Sequence, residues 1–238
     1  MIKKNNHLAI IPARFGSKRI PNKNIKNFNG KPIISYPILA AKKSRLFREI
    51  IVSTDSNKIK KIVNKFGAKV YYLRSKKLSN DQATIKDVLF DVIKFLKTKM
   101  LTSEYFCLLY ATSPLINYYD LKKSFKILDA SGSAVDSIMA VKEFSYPIQR
   151  ALGINKYGHL YMKNQKYRYA RSQDLEKFYH DAGAFAWFKT DNFLKKIKRN
   201  NSVVSMPYFL KETRVQDIDN IEDWKVAEFK YKYLQKKI

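Results

Sequence analysis

The sequence predicts an α/β fold, a three-layer α/β/α arrangement with helices on both faces of a mostly parallel sheet. Three observations carry this expectation. Short apolar, β-rich runs alternate with longer stretches whose apolar residues recur at helical spacing. With 238 residues, 45% of them hydrophobic, the chain can bury a sizeable core without metal or disulfide staples. The alternation breaks once, from about residue 142, and then resumes.

The elements follow in order. Leu8-Ala-Ile-Ile11 reads as a first buried strand, Glu49–Ser53 as a second and Val70–Leu73 as a third. Tyr105–Tyr110 reads as a fourth and Val135–Val141 as a fifth. Helical patterns lie between them. Ile33–Lys43 opens after Gly30-Lys-Pro32, with Pro32 suited to a first helical position; Pro37 should kink or limit that helix. In Asn57–Phe66, Ile59, Ile62, Val63 and Phe66 share one helical face, and Gly67 is a natural stop. Thr84–Lys97 and Tyr118–Asp129 repeat the pattern. From about 142 to 190, aromatic residues cluster without helical period, which reads as an arm of β-hairpins. A strand at Val203–Met206 and a helix at Ile221–Leu234 return to the main unit, so residues 1–238 read as one domain with a protruding arm.

Composition excludes several classes. Intrinsic disorder wants few apolar and aromatic residues, and aromatics here reach 14%. One cysteine, Cys107, rules out a disulfide scaffold and reads as an inert core thiol. No apolar run reaches the roughly 18 residues of a membrane span. The opening Met1–His7 is basic without a long apolar run, so a cytoplasmic protein without a secretory leader is the expectation. The net charge of +27 raises nucleic-acid binding. Yet lysine far outnumbers arginine and is scattered, and Lys, Ile, Asn and Tyr are all abundant, as A/T-rich codons would produce. The longest cluster, Lys195–Arg199, reads as the solvated last turn of a helix. An anionic small substrate fits the same charge, and no nucleic-acid or membrane partner is expected.

In a parallel α/β sheet, ligands bind beyond the carboxyl ends of the strands. The loop after the first strand, Pro12–Asn24, is the most informative such segment. It carries Arg14, Lys18, Arg19 and Lys23, with Gly16-Ser17 permitting an unusual backbone path. Fixed cations and backbone N–H groups are what a triphosphate requires. The loop matches neither the Walker A spacing nor the Gly-x-Gly-x-x-Gly pattern. A merely solvated basic loop is the plainer alternative.

Ile11-Pro-Ala-Arg-x-Gly-Ser-Lys-x-x-Pro-x-Lys-Asn24 resembles the signature of the cytidylyltransferases that activate nine-carbon acidic sugars, the CMP-sialic acid synthetase group. Further matches follow in order at Gly30–Pro32, Ile51–Asp55, Leu73-Arg74, Asp81-Gln-Ala-Thr84, Thr112–Pro114 and Asp217-Ile-Asp219. Phe144–Leu152, Arg171–Leu175, Tyr179–Gly183 and Tyr110 resemble the pseudaminic acid branch. Ala184 and Ala111 depart from that pattern, where Gln and Pro are usual. The resemblance implies a nucleotide-diphospho-sugar-transferase-like fold, a homodimer formed through the arm, and transfer of CMP from CTP to a nonulosonic acid with Mg²⁺ as cofactor. Pseudaminic acid is the expected sugar, with legionaminic or N-acetylneuraminic acid as alternatives.

It also implies site residues. Arg14 and Lys23 would meet the triphosphate, with Ala13, Ser17, Lys18, Asn24, Arg74, Asp81 and Thr84 also on the nucleotide side. Arg14 could instead be a structural ion-pair residue and Arg74 an ordinary loop cation. Asp217 and Asp219 are the expected catalytic metal ligands, because alternate residues of an extended segment face one side and carboxylates with phosphate oxygens suit Mg²⁺. Alternatively, Asp219 caps the following helix. On the sugar side stand Tyr110, Thr112, Gln149, Arg150, Arg171, His180 and Asp181, the arginines because guanidinium pairs bidentately with carboxylate. His180 could equally be structural, and Thr112 could merely shape a turn. Two rival functions remain: a basic nucleic-acid binder, which would show steep salt dependence and no turnover, and a glycosyltransferase, which would release no pyrophosphate.

Overall fold

The computed structural model describes residues 6–199 and 201–236. The opening residues 1–5, read above for a leader, lie outside that range. Ten strands and six helices follow along the described chain. Strand β1 (His7–Pro12) is followed by a two-residue hairpin, β2 (Asn27–Phe28) and β3 (Lys31–Pro32). Then come α1 (Ser35–Ser44), β4 (Phe47–Ser53), α2 (Asn57–Lys65), α3 (Ile85–Thr98), β5 (Tyr105–Leu109), α4 (Tyr118–Ala130) and β6 (Ser137–Glu143). A second hairpin, β7 (Leu152–Ile154) and β8 (Leu160–Met162), precedes β9 (Tyr179–Lys189), α5 (Thr190–Lys198), β10 (Ser205–Phe209) and α6 (Ile221–Gln235).

The main sheet runs β10-β6-β9-β5-β1-β4. Every neighbouring pair is parallel except the two made by β9, which is antiparallel to both β5 and β6. Alternation along the strands sorts the core into two layers. Ala9 and Ile11 of β1 and Cys107 and Leu109 of β5 face α1, α2 and α4. Leu8, Ile10, Phe106 and Leu108 face α3 and Phe193 of α5. This is the expected three-layer architecture, and the Cys107 thiol is fully buried, its pKa pushed well up by desolvation.

Three expectations are corrected. Residues 70–73 form no strand: the chain touches the edge of β4 only at isolated bridges, Ile51 with Lys69 and Thr54 with Leu73. The arm is shorter than 142–190, because 179–189 is the strand at the centre of the sheet. There Phe185 and Trp187 are fully buried between small alanines, so a segment whose Ala and Gly content weakens its strand signal is held by pairing on both sides. Finally, Pro32 lies in β3 rather than opening a helix, and Pro37 falls in the first turn of α1. An N–H missing there has no intrahelical partner to lose, so Pro37 interrupts nothing. Lys195, Lys196 and Lys198 do form the basic last turn of α5. No helix among the described residues is long and apolar enough to cross a membrane.

A third cluster decides where the site lies. Ile20 from the loop after β1, Phe28, Ile33 and Tyr36 from the hairpin and α1, Ile218, and Trp224 and Ala227 of α6 pack together. Ile218 stands between Asp217 and Asp219, and Ile20 beside Arg19. Burial of these two isoleucines therefore pins the cationic loop against the carboxylate segment.

His7 gives a test of the core. It is 5% exposed, its ring nitrogens are unpaired, and it packs on Phe125, Tyr105 and Trp187. Burial lowers its pKa from 6.5 to about 4, against the opposing pull of Asp129. Protons therefore bind the unfolded chain first as pH falls. The stability that neutral His7 permits is complete above pH 6.5 and lost between 6.5 and about 4, at most about 3 kcal/mol. His7→Phe should flatten the acid limb of a urea-unfolding series between pH 7.5 and 4.5. Equal losses in both proteins would show that His7 is not responsible.

Candidate active site

The strands β1, β4 and β5 are mutually parallel and end at one edge of the sheet, so the segments that leave them converge. Ala13 N donates to Ser53 O at 2.9 Å, and Phe15 N donates to the Asp55 carboxylate at 2.9 Å. Arg74 N donates to Thr54 O at 2.8 Å. These bonds tether the loop after β1 and the 74–84 segment to the end of β4. Asn24 Nδ2 donates to Arg14 O at 2.8 Å, closing the loop on itself. Between the segments opens a cleft of about 570 Å³.

Five cations line that cleft: Arg14, Lys18, Arg19, Lys23 and Arg74. Ser17, Asn24, Asp81, Tyr110 and Thr112 line it as well. Arg74 is buried, and its Nε donates to Ser79 Oγ at 3.2 Å. Desolvation lowers its pKa, opposed chiefly by Asp55, but a guanidinium stays charged. Arg14 and Lys18 both reach Asp81, at 2.6 and 2.7 Å. Lys23 is well covered, with Nζ donating to Ile218 O at 2.5 Å and lying 3.7 Å from Asp219. Arg19 lies 2.8 Å from Asp219.

The carboxylate pair thus sits against the base of the cationic loop. The helix-cap alternative for Asp219 fails: Asn220 caps α6, its side chain accepting from Glu222 N and Asp223 N, while Asp223 closes a capping box. Asp219 is left for Arg19 and Lys23. Desolvation, followed by the Asp219 charge, raises the pKa of Asp217, and Lys23 opposes the rise. A carboxyl held above its usual value by a like charge gains from a cation placed between the two. No group of three or more His, Cys, Asp or Glu side chains among the described residues gathers as a metal cage. A Mg²⁺ ion on Asp217 and Asp219 would draw its other ligands from phosphate and water, as this ion commonly does.

On the far side, Tyr110 Oη donates to Asp181 at 3.0 Å, and the other Asp181 oxygen accepts from Gly183 N at 2.8 Å. Burial, then Asp181 and Asp217, push the Tyr110 pKa far up, so its hydroxyl stays a donor. His180 Nδ1 lies 2.8 Å from Asp181 O and its ring leans on Phe144. The remaining sugar-side candidates lie on the arm. Gln149 bonds Glu176 O at 2.7 Å, Arg150 bonds Ser172 at 3.2 Å and Arg171 pairs with Asp174 at 2.7 Å. They stand apart from the cleft wall of this single chain. Thr84 is the N-cap of α3 in a capping box with Asp87, so its hydroxyl is committed to the helix. Sequence reasoning placed Asp55 in a matching run without giving it a role, and it did not single out Ile20 or Ile218. The signal for the isoleucines was a lone apolar residue set among charged ones.

A family model described as cytidylyltransferase matches residues 8–236. Pseudaminic acid cytidylyltransferase of Campylobacter jejuni is 42% identical over 232 residues, covering 95% of this chain and 96% of that protein. N-acylneuraminate cytidylyltransferase of Escherichia coli O18:K1:H7 is 30% identical over 221 residues, covering 92% of this chain and 51% of that one. The solved structure of CMP:2-keto-3-deoxy-manno-octonic acid synthetase complexed with CTP aligns with a TM-score of 0.65 at 17% identity. That alignment covers 98% of this chain and 100% of that one, and it shows the shared fold.

Proposed function

The chain belongs to the cytidylyltransferase family, and on that premise we propose that it transfers CMP from CTP to a nonulosonic acid, with pseudaminic acid as the sugar. The observation that carries this reading is the row of cations Arg14, Lys18, Lys23 and Arg74 lining one cleft beside Asp217 and Asp219. The 42% identity to the C. jejuni enzyme, over nearly both full lengths, supports the choice of sugar.

In this reaction the anomeric hydroxyl oxygen bonds to the α-phosphorus, the α–β phosphoanhydride bond breaks, pyrophosphate leaves with the bond's electron pair, and the hydroxyl proton passes to solvent or a basic group. Such transfers depend on positioning and charge neutralisation. Arg14 and Lys18 at the mouth, and Arg74 from its buried seat, bind triphosphate oxygens. Lys23 holds the carboxylate segment through Ile218 O. Asp217 and Asp219 would hold a Mg²⁺ ion, which when bound would supply Lewis-acid charge near the phosphates. Tyr110, its one hydroxyl proton donated to Asp181, offers its oxygen as an acceptor to a sugar hydroxyl. We infer a cytoplasmic site for the reaction, the availability of CTP there being the supporting argument.

Arg150 and Arg171 meet the sugar carboxylate only if the arm is brought to a cleft. Its hairpin exposes Leu152, Ile154 and Leu160, and we infer a homodimer through this face. Light scattering giving the mass of one chain at micromolar concentration would remove the dimer.

The decisive assay offers purified protein CTP and Mg²⁺ with pseudaminic, legionaminic or N-acetylneuraminic acid and measures pyrophosphate. Release is expected with all components and fastest with pseudaminic acid. Faster release with another sugar corrects the substrate, and none with any of the three overturns the activity.

A further inference from the structure

We propose that Asp81 is a built-in counter-anion of the triphosphate seat, whose carboxylate holds Arg14 and Lys18 across the cleft mouth until an incoming polyphosphate displaces it. This deepens the nucleotide reading above and rests on it.

The geometry is that of a stand-in for phosphate. One Asp81 oxygen lies 2.6 Å from Arg14 Nη1 and the other 2.7 Å from Lys18 Nζ. A two-oxygen anion thus spans two cations, as two phosphate oxygens would. The three side chains line the same cleft, although Asp81 is 67 and 63 residues away from its partners in sequence. Lys18 and then Arg14 hold the Asp81 carboxyl below its ordinary pKa, so it stays ionised.

Asp81 is also well aimed. Asn80 Oδ1 accepts from Gln82 N and Ala83 N at 3.0 and 2.9 Å, Thr84 starts α3 with a capping box, and Arg74 ties back to Ser79. The backbone around Asp81 is fixed by bonds that its own carboxylate does not share. That carboxylate bridges the 74–84 segment to the loop after β1. Its two effects oppose each other. It keeps two mutually repelling cations pointed into the cleft, and it competes with the ligand for them. The pairs are solvent-exposed, with side-chain exposures of 38%, 81% and 53% for Arg14, Lys18 and Asp81. Exposed pairs contribute little to order, so removal of the negative charge dominates. Asp81 is therefore a positioning residue acting through Arg14 and Lys18.

The test uses inorganic tripolyphosphate and cytidine as separate probes in calorimetric titrations. Asp81→Asn and Asp81→Ala should each bind tripolyphosphate about three- to tenfold more tightly than the parent at low ionic strength. The gain should shrink as salt is added. In an Arg14→Ala/Lys18→Ala background the same Asp81 changes should alter tripolyphosphate affinity less than twofold, and cytidine affinity should be unchanged throughout. Weaker or unchanged tripolyphosphate binding in both Asp81 variants overturns the proposal. So does weaker cytidine binding, which would make Asp81 a direct nucleoside contact, or no tripolyphosphate binding by any protein. Pyrophosphate release from CTP, measured separately, judges the proposed reaction independently of these outcomes.

Discussion

Arg14→Ala is expected to lower kcat/KM for CTP by about 10²–10³-fold, the loss typical of removing one preorganised group aimed at developing charge. Arg14 leaves β1 two residues after Pro12, and its backbone is held independently of its side chain. Its own carbonyl accepts from Asn24, while the neighbouring Ala13 N is bound to Ser53. Only the guanidinium is lost. Its partner Asp81 is exposed, so the fold should be unaffected and the melting temperature should stay within about 1 °C, as for most exposed substitutions. Arg14→Lys should recover part of the loss, because charge returns without the planar two-donor fork. Near-normal kcat/KM in Arg14→Ala, with an unchanged melt, would leave Arg14 as a surface ion-pair residue and move the triphosphate to Lys18 and Arg74.

The second large effect is expected at Asp217. Asp217→Asn should cost at least about tenfold to 100-fold in activity, the scale seen when a metal site loses supporting charge. It should also weaken Mn²⁺ binding measured by electron paramagnetic resonance with CTP present, a readout that does not depend on turnover. The same substitution should raise the thermal stability of the ligand-free protein. Burial and Asp219 hold the Asp217 carboxyl above its ordinary pKa, so the fold favours the protonated form. The cost of keeping it ionised is present above the folded-state pKa and relieved as pH falls below it. Asparagine removes that cost, with a gain of about 1–3 °C. Lost activity with a raised melt is the signature of a strained functional carboxylate. Unchanged Mn²⁺ affinity would show that Asp217 holds no metal, and a lowered melt would show that its charge serves the fold. In the parent, metal affinity should begin to fall at a higher pH than an ordinary carboxylate would give.

How much of this was legible depended on how local each feature is. The cations Arg14, Lys18 and Lys23 fall in one ten-residue stretch directly after a buried strand, so strand, loop and charge could be read together. The helices were readable because their apolar faces repeat within a few residues. Asn220 shows the limit of local reading: Asp219 and Asn220 are both good caps by type, and the choice turns on which backbone is extended and which side chain reaches the first free N–H groups. Here Asn220 takes them, which leaves Asp219 to Arg19 and Lys23. Thr84 went the other way. It belongs to a run that looks like site sequence, yet its hydroxyl starts a helix.

By itself the sequence determined the broad alternation of strands and helices, the apolar faces of the helices, and the one loop rich enough in fixed cations to hold a polyphosphate. Side-chain period and loop composition are local properties, and local interactions suffice to express them. Tertiary structure alone decided that 179–189 is the central antiparallel strand, that Asp81 faces Arg14 and Lys18, and that Ile20 and Ile218 bring the cationic loop against the carboxylates. These pairings join segments tens to nearly two hundred residues apart. The physical reason is that such a contact is selected by the burial and hydrogen bonding of the whole assembled core, which repay the entropy of closing the intervening chain.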